Sequence, residues 1–184
     1  HQFKELADID ITAAPMEVGP TCHYMMGGVR VESDTQQSTI PGLFAAGEVA
    51  GGMHGANRLG GNSLSDLVVF GMLAGRHAAE HSAASGSPAP VLEEVLDGHA
   101  EEALAPFDEH GEENPYSIQN DLQECMSSLV GIIRTESEML EALDCIEVLK
   151  ERLARVHVEG HRQYNPGWHL ALDLRSLLTV SECI

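Results

Sequence analysis

The chain is 184 residues long, 43% hydrophobic, and carries a formal net charge of −19. Such a length buries a real core, while the charge argues against nucleic acid or an anionic membrane as direct partner, because either would repel the surface. No stretch approaches the roughly 20 consecutive apolar residues of a membrane span, and the amino terminus lacks the charged-then-apolar order of a signal peptide.

The chain opens at His1 without an initiator Met and stops at Ile184 inside an apolar helical pattern, so both ends read as cut. Cys22, Cys125, Cys145 and Cys183 show no paired spacing of a zinc site or disulfide framework, which points to a reducing, cytoplasmic setting. From Met16 to Arg30 a turn-rich segment leads through Gly27-Gly28 into alternating Val29 and Val31, predicting a hairpin or strand-turn-strand. Pro41-Gly42 makes a turn, and Leu43 to Ala46 is a short apolar run of the buried-strand kind, closed by Gly47-Glu48.

Gly51 to Gly61 is dominated by Gly, with His54, Asn57 and Arg58 among small residues, so its backbone can approach a ligand closely. Asn62 or Ser63 then caps a helix whose apolar positions Leu64, Leu67, Val68, Leu73 and Ala74 continue towards His81. Strand, Gly-rich loop and helix in that order form a ligand-binding arrangement. Ser82 to Pro90 reads as a linker, and Glu93 to Glu113, without Lys or Arg, as a solvated helix face and connector. Ile118, Leu122, Cys125, Leu129 and Ile132 recur at helical spacing, as do Met139, Leu143, Ile146, Leu149 and Leu153. Asn165-Pro166 starts a third helix through Leu170, Leu174 and Leu177, so the second half is a helical bundle.

Among the residues that can carry chemistry, Arg58 grips a carboxylate or phosphate with two parallel hydrogen bonds, which Lys cannot do. The helix start at Ser63 and Leu64 offers unpaired N–H groups and a partial positive charge. Glu48, at a strand end, suits ribose hydroxyls, by analogy with the acidic residue of dinucleotide folds. Alone these residues mean an anionic small molecule, a nucleotide among the candidates. Each also has an ordinary reading: a lone histidine such as His23 beside a turn is usually a structural hydrogen-bonder, and Glu48 a cap or solvated turn residue. His77 and His81, one helical turn apart, lack a third metal ligand and read as a solvent-facing surface. Cys22 has no orienting group that would make it a nucleophile. Tyr164, Trp168 and His169 read as packing or capping the last helix.

Three strings, Cys22-His23-Tyr24-Met25-Met26-Gly27-Gly28, Gly42 to Glu48, and His54-Gly55-Ala56-Asn57-Arg58-Leu59-Gly60-Gly61-Asn62-Ser63-Leu64, resemble the flavoprotein subunits of succinate dehydrogenase and fumarate reductase in residue, order and spacing. Asn165-Pro166-Gly167-Trp168 looks like the family's late helical region. The resemblance implies an α/β segment of an FAD-binding domain followed by an all-α helical bundle, as part of a larger flavoprotein. It divides the chain into a capping-domain tail over 1–20, a returning FAD-domain segment over 21–83 and a helical domain over 91–184.

The implied function is FAD-dependent interconversion of succinate and fumarate by hydride transfer, within the tricarboxylic acid cycle and electron transport. The cofactor does the redox chemistry and the protein orients substrate. By position, His23 and Arg58 are matched to substrate-carboxylate ligands, and Glu48, Ser63 and Leu64 to FAD contacts. No proton-transferring catalytic residue falls within the chain, so it is expected to be inactive by itself. The implied partners are an iron–sulfur subunit, with membrane anchor subunits reached through it, which places the protein at the cytoplasmic face of the inner membrane. Met72, where many relatives carry Arg, and Gly51-Gly52, in a variable stretch, bear on subtype. L-aspartate oxidase shares the His-Gly-Ala-Asn-Arg segment and is the nearest enzymatic alternative, and a non-catalytic interaction module is the alternative from another class.

Overall fold

The computed structural model describes residues 2–19, 23–88, 90–108 and 111–184, and Cys22 therefore lies outside the described residues. The chain forms two compact units, His1–Ala89 and Pro90–Ile184, built on different physical terms.

In the second unit, α3 (Glu93–Leu104) precedes a three-helix bundle of α4 (Pro115–Leu129), α5 (Glu136–Leu153) and α6 (Pro166–Cys183); α1 and α2 belong to the first. Each bundle helix is started by its own chemistry. The Asn114 side chain accepts from the Tyr116 N–H ahead of Pro115, Thr135 and Glu138 form a reciprocal capping box, and the Asn165 side chain accepts from the Trp168 N–H ahead of Pro166. The apolar stripes meet in one core of Ile118, Leu122, Ile146, Leu149, Ala171, Leu174 and Leu178, extended by Val156 and Val158 of the connecting loop. Trp168 packs against it and donates through Nε1 to the Ala103 carbonyl at 2.7 Å.

Several sequence expectations shift here. Ile132 lies beyond α4 and is exposed, Leu177 faces outward while Leu174 and Leu178 carry the core, and Tyr164 is 97% exposed rather than packed. Cys125 and Cys145, far apart in sequence, are neighbours across α4 and α5, and burial, followed by the Cys145 contact, pushes the Cys125 thiol up to about 12. Both are free thiols, and Cys125 is a core residue.

The first unit is held by backbone rather than by a stacked core. It has α1 (Gln2–Ala7), a 24-residue α2 (Asn62–Ser85) and isolated bridges instead of extended strands among the described residues. Val31 pairs with Ser38 and Gln37 with Phe44, both antiparallel, while Val29 pairs with Ala50 in parallel. The hairpin expected within 16–30 is thus replaced by a pairing of Val29 with a segment 21 residues later. Leu43, expected in a buried strand, is exposed, and only Phe44 to Ala46 turn inward.

In α2 the cap is Gly61, in the left-handed region, rather than Asn62 or Ser63, and the helix runs through Ser85, which shortens the linker to begin at Gly86. Asp66 is the only buried residue of α2; Leu64, Val68 and Met72, one stripe at four-residue spacing, are exposed among the described residues. His77 Nδ1 pairs with Glu80, and the His81 ring stands edge-on to Phe44, so His81 packs rather than facing solvent. No helix of the described residues is long and apolar enough to cross a membrane.

One network in the helical unit gives a pH test. Arg152 on α5 forks onto both carboxylate oxygens of Glu113, at 3.1 and 3.0 Å, and reaches Asp121 at 2.6 Å. The hydrogen bonds from Arg152 hold the Glu113 carboxyl below its usual range. A depressed folded-state pKa contributes stability above the unfolded carboxylate pKa, which is lost as pH falls through the lowered value. The Glu113→Gln variant should therefore melt below the parent at pH 6, with the gap closing as pH falls from about 4.5 towards 2; scanning calorimetry over that range measures it.

Candidate functional site

The Gly-rich stretch is positioned by two backbones crossing at contact distance. The Val29 N–H donates to the Val49 carbonyl at 2.8 Å and the Gly51 N–H to the Val29 carbonyl at 3.0 Å. At that crossing a Cβ on Gly28 (φ +131°) would stand 2.2 Å from the Val49 carbonyl oxygen, and one on Gly51 3.0 Å from the Gly28 nitrogen. Gly51 is thus fixed in this chain by close approach.

The crossing delivers the 23–28 segment to the 3-10 turn Gly47–Val49, where the Met25 N–H donates to Glu48 Oε1 at 3.0 Å. The second carboxylate oxygen of Glu48 has no partner among the described residues. Glu48 is otherwise exposed, and its one internal bond fixes the carboxylate's direction while leaving half its acceptor capacity for a ligand. The start of α2 follows the Gly-rich loop without any side-chain cap; the Leu64 N–H donates to the Gly61 carbonyl at 3.3 Å, and the Ser63 N–H makes no bond to the described residues and can meet an external acceptor.

Between these features lies a cluster that residue types alone do not announce. The Arg58 guanidinium carbon stands 4.6 Å from the centroid of the Tyr24 ring, over its face. The Tyr24 ring meets His54 edge-on at 5.9 Å, and His54 Nε2 donates to Asp66 Oδ2 at 3.1 Å, the two side chains being 13% and 3% exposed. Arg58 Nη1 donates to the Leu59 carbonyl at 3.1 Å, while Arg58 Nε, the Tyr24 hydroxyl and Asp66 Oδ1 are buried without a partner among the described residues. Burial first, and then the negative charges of Asp66 and Glu48, raise the Tyr24 phenol above its ordinary pKa, so it remains protonated at neutral pH.

Arg58 is consequently tethered by one nitrogen and stacked on a ring, while its buried Nε and its Nη2 make no bond to the described residues; these two nitrogens form the edge that matches a carboxylate bidentately. His23 is exposed and makes no bond to the described residues. It is next in sequence to Tyr24, which puts it beside the Arg58 cluster. Glu48 is tied to the same segment through Met25, and Ser63 and Leu64 follow Arg58 on the entry to α2. The signal that could have found the cluster was the 12-residue separation of His54 and Asp66, which carries a loop residue onto the inner face of the helix.

In the helical unit, an open cavity of about 400 Å³ is lined by Glu113, Asn114, His157 and Asn165 among others. Its polar groups are committed elsewhere: Glu113 to Arg152, Asn114 and Asn165 to helix caps, and His157 Nδ1 to the Asp108 carbonyl.

A model described as FAD binding domain matches residues 1–64, and one described as fumarate reductase flavoprotein C-term matches residues 119–184. The fumarate reductase flavoprotein subunit of Escherichia coli is 36% identical over 98% of the chain and 30% of its own length. The succinate dehydrogenase flavoprotein subunit of Coxiella burnetii is 35% identical over 97% of the chain, which covers 32% of that protein. Among solved structures, the Mycobacterium smegmatis Sdh1 complex in the apo form superposes with a TM-score of 0.92 at 57% identity, over all of this chain and 31% of that one. The chain spans about a third of the length of the curated relatives it matches.

The crossing makes its own prediction. Gly28→Ala forces a Cβ into the Val49 carbonyl at a φ that L-residues avoid, and should destabilise the first unit by about 2–4 kcal/mol. The loss is expected as early amide exchange at Val29 and Gly51 in hydrogen-exchange mass spectrometry.

Proposed function

The chain belongs to the fumarate reductase and succinate dehydrogenase flavoprotein family, and from that premise we propose that it supplies the substrate-carboxylate clamp and part of the FAD cradle of an enzyme interconverting succinate and fumarate. The observation that carries the reading is Arg58: a guanidinium stacked on Tyr24, tethered by Nη1 alone, with a buried and unpaired Nε. A buried donor without a partner costs about 1–3 kcal/mol, and a dicarboxylate would satisfy it while supplying the charge that Arg58 requires.

FAD, when bound, supplies the hydride chemistry. The donor set of this chain fits the cofactor. Glu48 keeps one carboxylate oxygen free for ribose hydroxyls, and the uncapped start of α2 at Ser63 and Leu64 offers the Ser63 N–H and the partial positive charge of the helix end to an electron-rich acceptor. On the substrate, Arg58 holds one carboxylate by two parallel hydrogen bonds through its unpaired Nε–Nη2 edge, and His23 donates to a carboxylate of the same molecule. Two cationic or donor groups from separate segments fix both the position and the rotation of a flexible dianion, which lowers the entropic part of the barrier. They also confine positive potential to one place on a strongly acidic chain.

In this reading, residues 1–20 are the tail of a capping domain, 21–83 the returning segment of the FAD-binding domain and 91–184 the helical domain. The working enzyme passes electrons to an iron–sulfur subunit, with membrane anchor subunits beyond it, which holds it at the cytoplasmic face of the membrane. The occurrence of similar chains within an Sdh1 complex and a quinol fumarate reductase supports that assembly.

The tests use the flavoprotein that carries this chain. Succinate-dependent dye reduction should be present in the parent, and Arg58→Ala should lower kcat/KM for succinate by roughly two to three orders of magnitude, since it leaves a carboxylate unpaired in a closed site. A parent without such activity, or an Arg58→Ala enzyme that keeps it, overturns the assignment. Glu48→Ala should weaken FAD retention by about ten- to a hundredfold, the worth of a charged hydrogen bond, read as flavin absorbance per protein after gel filtration.

A further inference from the structure

We propose that Tyr24 is a positioning residue for the carboxylate clamp, and that His54 and Asp66 hold Tyr24 in turn. The inference rests on the reading of Arg58 as the clamp and adds what aims it. A free arginine side chain has several rotatable bonds and swings through solvent; here Nη1 is tied to its neighbour's carbonyl and the guanidinium face lies over the Tyr24 ring. Stacking on the negative face of the ring favours the cation and orients its plane, so that the unpaired Nε–Nη2 edge is held in a fixed direction.

The ring is itself oriented. Its neighbour His54 meets it edge-on, at an interplanar angle of 84°, and His54 is held by Nε2 to Asp66, the single buried residue of α2. A carboxylate buried on a helix surface that is otherwise exposed has no packing role of its own. Its Oδ2 accepts from His54, and through that bond α2 anchors a histidine of the Gly-rich loop. The chain of contacts is Asp66 to His54 to Tyr24 to Arg58, running from a rigid helix to the one cation of the loop. The order has a physical reason, because loop backbone rich in Gly holds no side chain in place by itself, whereas a helix does.

The ring face and not the hydroxyl carries the effect. The Tyr24 hydroxyl has no partner among the described residues and its pKa is raised, so it offers neither a tether nor a charge to Arg58. The adjacent His23 lies on the same segment, and a displaced Tyr24 therefore disturbs both ligands of the substrate at once.

The experiment compares Tyr24→Leu, Tyr24→Phe and the parent as flavin-loaded protein, measuring KM and kcat for succinate, Ki for malonate as a dicarboxylate probe, flavin content and thermal midpoint. Tyr24→Leu should raise the succinate KM and the malonate Ki by about 5- to 30-fold, the range of a desolvated cation–π contact, with flavin content unchanged and kcat lowered less than KM is raised. Tyr24→Phe, which keeps the ring face, should stay within about threefold on both constants. A merely structural role would lower flavin content and thermal midpoint together and leave Ki per flavin unmoved, which overturns the proposal, as does a Tyr24→Phe enzyme as impaired as Tyr24→Leu.

Should Tyr24→Leu not yield folded flavoprotein, His54→Gln keeps a donor for Asp66 and removes only the ring edge. It should raise both constants about two- to fivefold, and parent-like constants there overturn the inference. If Arg58→Ala loses malonate affinity while Tyr24→Leu does not, the role of Tyr24 falls and that of Arg58 stands. If Arg58→Ala binds malonate as the parent does, the clamp reading falls and the positioning role with it.

Discussion

Everything in the first unit depends on two backbones passing at the distance of a hydrogen bond with no side chain between them. Gly28 and Gly51 make that possible, and the two bonds of Val29, to Val49 and from Gly51, make it stable. The crossing binds the 23–28 segment to the turn at Glu48 and to the start of the Gly-rich loop. Tyr24 and His23 are thereby carried to the neighbourhood of Arg58, and Met25 to Glu48. A site assembled from distant pieces of chain thus needs few long side chains to hold it. The backbone sets the frame, and one hydrogen bond, His54 to Asp66, ties the loop to the helix.

The helical unit illustrates the opposite solution. Its three long helices are delimited by caps and joined by an apolar core, so most of its stability comes from burial and little from special backbone geometry. The acidic surface is managed by a few cations that each serve more than one carboxylate. Lys150 bridges Glu147 and Glu182, and Arg152 serves Glu113 and Asp121. With ten Lys and Arg against 29 Asp and Glu, sharing is the only way to pair many acids. It ties α5 to α4, to α6 and to the loop before α4.

That contrast explains what was legible in the sequence. Helical periodicity, with the Asn165-Pro166 start for α6, located the bundle helices, because caps and stripes are local signals that the tertiary structure then uses. The same periodicity located α2, where Leu64, Leu67 and Val68 are nonetheless exposed among the described residues: apolar spacing records a surface fit for burial, not what buries it. Expectations for strands failed for a related reason, since single bridges leave no alternating pattern to read. Of the site, Arg58, Glu48 and the helix start were visible as residue types in a Gly-rich context. Tyr24 and Asp66 were not, because a stacked ring and a buried carboxylate acquire meaning only from neighbours distant in sequence.

The charge of the chain gives this placement a further consequence. An acidic surface of net −19 repels a dicarboxylate at long range, although at physiological salt that repulsion is screened beyond about 8 Å. Capture then depends on short-range fields, and these are strongest where water is excluded. Arg58 meets that condition, since one face of its guanidinium is covered by Tyr24 and its Nε is buried. Asp66 would neutralise such a cation if it touched it. Instead its Oδ2 is bound to His54, so the negative charge orients the cluster from one residue's remove while the unpaired edge of Arg58 keeps its attraction for a carboxylate.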